Sequence, residues 1–205
     1  WGHDFRPDYR RIRNIVNAYL PTDMPVLAVT ATATPRVQQD IEEQLGGRLT
    51  VVRGELMRKN FRLFVIRTTS EEEKMVWLKQ HLADMPGTGI VYAGTRTQTE
   101  LYARWLTHND ISAVEYNASL DTDSRKEIEK GLKENRWKCV VSTNALGMGI
   151  DKPDIRFIIH LQMPASPIHY YQEIGRAGRD GQTAYLILFF NERKNKDGIY
   201  EDLRL

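Results

Sequence analysis

Trp137-Lys138-Cys139-Val140-Val141-Ser142 runs without a break into Thr143-Asn144-Ala145-Leu146-Gly147-Met148-Gly149-Ile150-Asp151-Lys152-Pro153. A short apolar run bounded by turn formers reads as a buried strand over 137–142. The loop after it carries hydroxyls, backbone amides freed by Gly147 and Gly149, and the Asp151 carboxylate, all of which suit a site for phosphate and ribose. Taken alone, the same residues could form an unliganded glycine turn, so the flanking chain must decide.

Working outward, Gly89 to Tyr92 reads as a strand and Thr95-Arg96 leads into a helix through Leu106. Ser112 to Tyr116 reads as a strand and Asp121 to Leu132 as a helix. Downstream, Ile155 to Leu161 is a strand, Ser166-Pro167 opens a helix, and Ala184 to Phe190 is a last strand. Upstream, Phe61 to Arg67 starts the sheet, and the capping box Ser70-Glu71-Glu72-Glu73 opens a helix through Leu82. Strand and helix alternate, which predicts an α/β fold with a mostly parallel sheet covered by helices on both faces.

Before Phe61 the pattern starts afresh. Tyr9, Ile12, Ile15, Val16 and Tyr19 recur at helical spacing up to Pro21. Val26 to Val29 reads as a short buried strand whose end carries Thr30 and Thr32, and hydroxyls there suit the ligand crevice of an open α/β sheet. Thr34-Pro35 opens a helix to Leu45, stopped by Gly46-Gly47, and Leu49 to Val52 reads as a further strand. The division expected is residues 1–55, a linker over 56–60, and a second domain over 61–205.

The chain has 205 residues, of which 41% are hydrophobic and 27% charged, the balance of a folded globular protein. Its formal charge is only +2, so nucleic-acid contacts would have to come from local basic clusters. The one cysteine, Cys139, lacks partners for a disulfide or zinc site and reads as a buried thiol in a reducing, cytoplasmic setting; no metal site is expected. No apolar run approaches the ~18 residues that span a membrane, and no signal-peptide pattern opens the chain. The first residue is Trp1, which reads as part of a longer polypeptide.

Two further stretches carry chemistry. Tyr170-Tyr171-Gln172-Glu173-Ile174-Gly175-Arg176-Ala177-Gly178-Arg179-Asp180-Gly181 sets two arginines three positions apart among small residues. On a helix both guanidinium groups would reach one side, as a phosphate-binding pair, or Arg176 could simply pair with Glu173 on the surface. Trp1-Gly2-His3-Asp4-Phe5-Arg6-Pro7 interleaves aromatics with cations, the requirement for stacking single-stranded bases, or else forms a loop that packs its aromatics.

In their order along the chain, Thr30-Ala31-Thr32-Ala33, Tyr92-Ala93-Gly94-Thr95-Arg96, Ser142 to Pro153 and Tyr170 to Gly181 closely resemble RecQ-type DNA helicases, over nearly the whole chain. The resemblance implies a RecA-like fold of the P-loop NTPase type: the end of a first RecA-like domain joined to a complete second one. It implies ATP with Mg²⁺ as cofactor, an intact parent that translocates 3′ to 5′, single-stranded and duplex DNA as partners, and the first RecA-like domain of the same protein as an internal partner. Arg176 and Arg179 take the finger positions for the γ-phosphate, with Gln172 supporting them and Asp151 and Gly149 on the nucleotide side. Trp1, His3, Phe5 and Arg6 match the aromatic-rich loop that couples single-stranded DNA to ATP, Arg96 and Thr143 match DNA-backbone contacts, and Thr30 and Thr32 match the coupling motif. Arg58 and Asn60 stand where the family has its inter-domain linker motif. The localisation implied is the nucleoid-associated cytoplasm in a bacterium or the nucleus in a eukaryote.

Departures set the limits of the likeness. Asn117-Ala118-Ser119 stands where the family commonly has His-Ala-Gly, and the chain has neither a Gly-x-x-x-x-Gly-Lys-Ser/Thr loop nor an Asp-Glu-Ala-His box. Those groups cradle phosphate and hold Mg²⁺, so the chain alone is expected to be inactive as an ATPase. A non-catalytic DNA-binding or interaction module derived from a helicase, and an RNA helicase, are the alternatives. Nothing in the residues reads a 2′-hydroxyl.

Overall fold

A computed structural model describes residues 11–19, 21, 24–30, 34–45, 50–55, 57–147, 150–194 and 200. The chain divides into two compact units, Trp1–Leu56 and Met57–Leu205.

The first unit contains helices α1 (Ile12–Tyr19) and α2 (Pro35–Leu45). Thr34 opens α2 by accepting the Val37 N–H at 3.3 Å, and Pro35 occupies the first helical position, where a missing N–H costs nothing. Gln38 and Gln39 donate to Glu42 and Glu43 one turn on. Neither expected strand forms among the described residues. Residues 24–30 and 50–55 have no regular structure, and Leu27, Val29 and Val52 are 86%, 83% and 90% exposed. A short strand apolar on both faces exists only between hydrogen-bonded neighbours, and no described residue of this unit pairs with either stretch.

The second unit is a six-stranded sheet, all of whose pairings are parallel. In chain order its elements are β1 (Phe61–Thr68), α3 (Glu71–His81), β2 (Thr88–Tyr92), α4 (Arg96–His108), β3 (Ala113–Tyr116), α5 (Thr122–Lys133), β4 (Cys139–Ser142), β5 (Ile155–His160), α6 (Pro167–Ile174) and β6 (Ala184–Asn191). Across the sheet the strands run β1, β6, β5, β2, β4, β3. The central strands β2, β4 and β5 are buried at every position, with short apolar stretches bounded by polar residues such as Thr88, Ser142 and His160.

Successive strand residues feed two separate cores. Ile90, Val140, Ile158 and Leu186 pack with Ile128 and Leu132 of α5 and Ile174 of α6, whereas Val91, Val141, Ile159 and Ile187 pack with Leu78 of α3 and Tyr102 and Leu106 of α4. The period of two therefore puts α5 and α6 on one face and α3 and α4 on the other. Cys139 is fully buried, and burial pushes its thiol up to about 12. The edge strand β1 breaks the pattern: Phe61 and Thr68 are buried at its ends, while Leu63, Phe64 and Val65 between them are exposed.

The helix starts are local devices. Ser70, Thr95, Asp121 and Ser166 each accept a first-turn N–H of the helix that follows. The capping box is offset by one residue, because Glu73 reaches back to the N–H and hydroxyl of Thr69. The arginine motif differs from expectation. α6 ends at Ile174, and Arg176 and Arg179 lie in the turns beyond it rather than on a helical face. Gly175 and Gly178 weaken further helix, and Gly178 adopts a left-handed φ of 56° that redirects the chain.

Candidate functional site

Strand register brings four polar side chains, of three kinds, into one row at the carboxyl ends of the strands. Tyr116 of β3 is level with Ser142 of β4, Ser142 with Tyr92 of β2, and Tyr92 with His160 of β5. In open parallel sheets this edge is where ligands bind. The loop after β4, which carries Thr143 to Gly147, and the arginine turns after α6 meet at Tyr92, within that row.

Tyr92 joins them. Its buried hydroxyl donates to the Leu146 carbonyl at 3.2 Å and accepts from the Arg176 guanidinium. Burial pushes its pKa well above the ordinary tyrosine value, with the Arg176 charge pulling the other way. The Arg176 backbone N–H closes on the Glu173 carbonyl at 3.2 Å, and its buried Nε has no hydrogen-bond partner. The surface pair considered for Arg176 does not form. Glu173 instead bonds His160 Nε2 at 2.8 Å, and the His160 ring stacks at 5.1 Å on Tyr92 and meets Tyr170 at 5.0 Å.

Arg179 is placed differently. Its Nη1 donates to Asp151 Oδ1 at 2.9 Å, and both side chains face solvent. The two expected nucleotide-side residues on the 143–153 loop and the arginine turn are thus joined, while Gln172 is half-buried on α6. Gly149 lies outside the described residues.

The turn holding both arginines is tied to the segment before β1. Arg58 Nη1 donates to the Ala177 carbonyl at 2.8 Å, and Asn60 Nδ2 donates to the carbonyls of Gly178 at 2.9 Å and Gln182 at 2.6 Å. Beneath the same turn, Arg156 bonds the Asp180 carboxylate at 2.5 Å and holds that carboxyl below its usual range. The linker-motif residues therefore bear on the arginine turn from within the second unit.

Of the expected nucleic-acid contacts, Arg96 is exposed at the first turn of α4. Half-buried Thr143 accepts the Ala145 N–H through its hydroxyl. Asn117 bonds the Thr99 hydroxyl at 3.1 Å and accepts from Ser119, so that loop is braced to α4. Thr30 is described in the first unit, whereas Trp1, His3, Phe5, Arg6 and Thr32 fall outside the described residues. No cluster of potential metal ligands occurs among the described residues. Sequence reasoning missed His160 and Tyr92. The one available signal was a polar group closing each apolar strand, which His160, Tyr92 and Ser142 share.

Strands β2 to β5 of the parallel sheet and the arginine turns at its carboxyl edge fall within residues 73–181, which match the family model "Helicase conserved C-terminal domain", and the chain belongs to that family. Among its relatives are RecQ-type DNA helicases. The chain is 39% identical over 196 residues to the ATP-dependent DNA helicase RecQ of Bacillus subtilis, covering 93% of this chain and 32% of the relative. It is 36% identical over 198 residues to the RecQ-like DNA helicase BLM of Xenopus laevis, covering 93% and 14%. The chain thus spans less than a third of these relatives. Its fold matches a Dbp5 structure from Saccharomyces cerevisiae with TM-score 0.76 at 21% identity, over 96% of this chain and 50% of that one. It matches the DEAD-box protein SrmB of Escherichia coli with TM-score 0.59 at 28% identity, over 65% and 78%.

Proposed function

We propose that this chain is the arginine-bearing part of an ATP-dependent DNA helicase of RecQ type, comprising the end of a first RecA-like domain, residues 1–55, and a second RecA-like domain from residue 61. The observation that carries this reading is Arg176, whose guanidinium is held by Tyr92 at the ligand edge of the sheet with a buried, unpartnered Nε. Guanidinium forks match phosphate oxygens and stay charged at any accessible pH. ATP fits such a site: Arg176 and Arg179 would hold its terminal phosphate, with Gln172, Asp151 and Gly149 flanking it. Bound nucleotide supplies the phosphoanhydride whose cleavage powers movement. The chain's own residues orient that group and balance its charge, while Mg²⁺ and the phosphate cradle belong to the opposing domain.

Arg96 and Thr143 would follow the DNA backbone without reading its sequence, and Trp1, His3, Phe5 and Arg6 would stack and neutralise a single strand. Thr30 and Thr32 would transmit nucleotide state to domain closure. Such a motor works in the nucleoid or the nucleus, according to the host. No described helix is long and apolar enough to cross a membrane.

The test is hydrolysis by the full-length protein that carries this chain, with single-stranded DNA or RNA of equal length as activator. R176A and R179A should each reduce DNA-stimulated kcat by about 10³-fold, within the arginine-finger range. Near-normal hydrolysis in both variants removes the finger role, and stronger stimulation by RNA favours an RNA helicase.

A further inference from the structure

Glu173 stands three residues before Arg176, a spacing at which carboxylate and guanidinium commonly pair on one side of a turn. They do not pair here. Glu173 Oε2 bonds His160 Nε2 at 2.8 Å, and the two side chains are only 16% and 3% exposed. A carboxylate only accepts, so Nε2 carries the hydrogen and the bond is directional. The ring cannot swing aside, because Tyr92 stacks on it with an interplanar angle of 23° and Tyr170 lies against it. Its other nitrogen, Nδ1, is buried without a partner, so the Glu173 bond is its sole polar anchor.

Arg176 meets the same tyrosine at its hydroxyl. The Arg176 N–H bonds the Glu173 carbonyl at 3.2 Å, so the two side chains leave one turn of backbone, and their charges act with opposite sign on the Tyr92 hydroxyl. No carboxylate among the described residues forms an ion pair with Arg176.

We propose that His160 is a positioning residue that holds the Glu173 carboxylate away from Arg176 and so keeps the guanidinium available for an incoming phosphate. This rests on the reading of Arg176 as phosphate-facing. The physical case is competition for one cation. A buried carboxylate without a hydrogen-bond donor pays a large desolvation cost, and the nearby guanidinium is the group able to offset it. Without His160, Glu173 would turn to Arg176 and compete intramolecularly with every phosphate that arrives. With His160 in place, Glu173 is satisfied and the arginine keeps its charge for the ligand.

The experiment uses the full-length protein that carries this chain, and the rate read is DNA-stimulated ATP hydrolysis. H160F keeps a ring between Tyr92 and Tyr170 but cannot donate to Glu173. It should lower kcat/KM for ATP at least about tenfold, through both a raised KM and a lowered kcat. Adding E173Q to H160F removes the competing charge, and the double variant should return to within about threefold of E173Q alone. H160Q, whose amide can still donate to Glu173, should retain at least about a third of the wild-type rate and serves as the soluble comparison if H160F folds poorly. A rate unchanged in H160F, a double variant as slow as H160F, or an H160Q as slow as H160F each overturns the proposal. R176A is assayed alongside. If it hydrolyses ATP normally, the phosphate reading of Arg176 fails and the proposal with it; if R176A is inactive and no rescue occurs, only the role of His160 fails.

Discussion

Gly178 fixes the arginine turn at the level of a single residue. Its φ of 56° is left-handed, and a Cβ built there would lie 2.5 Å from Asn60 Nδ2 and 2.9 Å from the Gln182 carbonyl. Any side chain therefore adds left-handed strain to a clash with groups that are themselves hydrogen-bonded. G178A should cost about 2 kcal/mol, a drop in melting temperature on the order of 5 °C for a chain of this size, read by thermal denaturation. An unchanged melting point would mean that the turn can relax around a methyl group. At this scale the arginines were legible, because Tyr170 to Gly181 has an unusual run of glycine and arginine. The partner of Glu173 was not. Spacing along the chain pointed to Arg176, whereas His160 is brought to it only by the placement of β5 beside α6.

The helix starts and the six strands of the second unit were read correctly, whereas the two strands expected in the first unit and the end of α6 were not. Ser70, Thr95, Asp121 and Ser166 cap their helices as the sequence indicates, since a side-chain oxygen and the N–H it accepts lie two or three residues apart. Val26 to Val29 has the composition of a strand, but a strand is a relation between two segments, and no described neighbour supplies the second. α6 was expected to include the arginines, yet the glycines at 175 and 178 end it early. Its start is the firmer boundary: the Ser166 hydroxyl accepts the His169 N–H at 3.2 Å, and Pro167 follows it. S166A should destabilise the second unit by about 1 kcal/mol, measured by chemical denaturation of the chain, with an unchanged midpoint counting against the cap. β1 lies at the sheet edge beside β6 alone, and Leu63, Phe64 and Val65 at its centre are exposed.

At the scale of the whole molecule, alternation of strand and helix was enough to specify a parallel α/β unit, since each strand–helix–strand crossover imposes the same strand direction. The strand order β1-β6-β5-β2-β4-β3 was not legible, because it depends on which side of the sheet each crossover turns to. Cys139, the chain's one thiol, lies in the fully buried strand β4 with its pKa pushed up to about 12. Its folded value lies above the unfolded one of about 8.5, so its contribution to stability is complete below that pH and falls away as pH rises through the interval. At pH 8, iodoacetamide should leave the folded chain unlabelled and alkylate Cys139 only as denaturant opens the sheet, which mass spectrometry would read directly. Rapid labelling in native buffer would contradict the burial of β4.

The hydrogen bonds from Arg58 and Asn60 to the carbonyls of Ala177, Gly178 and Gln182 join two stretches of chain more than a hundred residues apart. The Asn60 carbonyl also accepts the Ala184 N–H at 3.0 Å, so the entry to β1 and the entry to β6 are clasped together. Tension on the polypeptide upstream of Met57 therefore has a short mechanical route: it reaches the backbone between the two arginines through a few hydrogen bonds, before any of the packed interior has to yield. The segment is thus tied directly to the backbone beside Arg176 and Arg179, and the span from Arg58 and Asn60 to that turn is a handful of atoms.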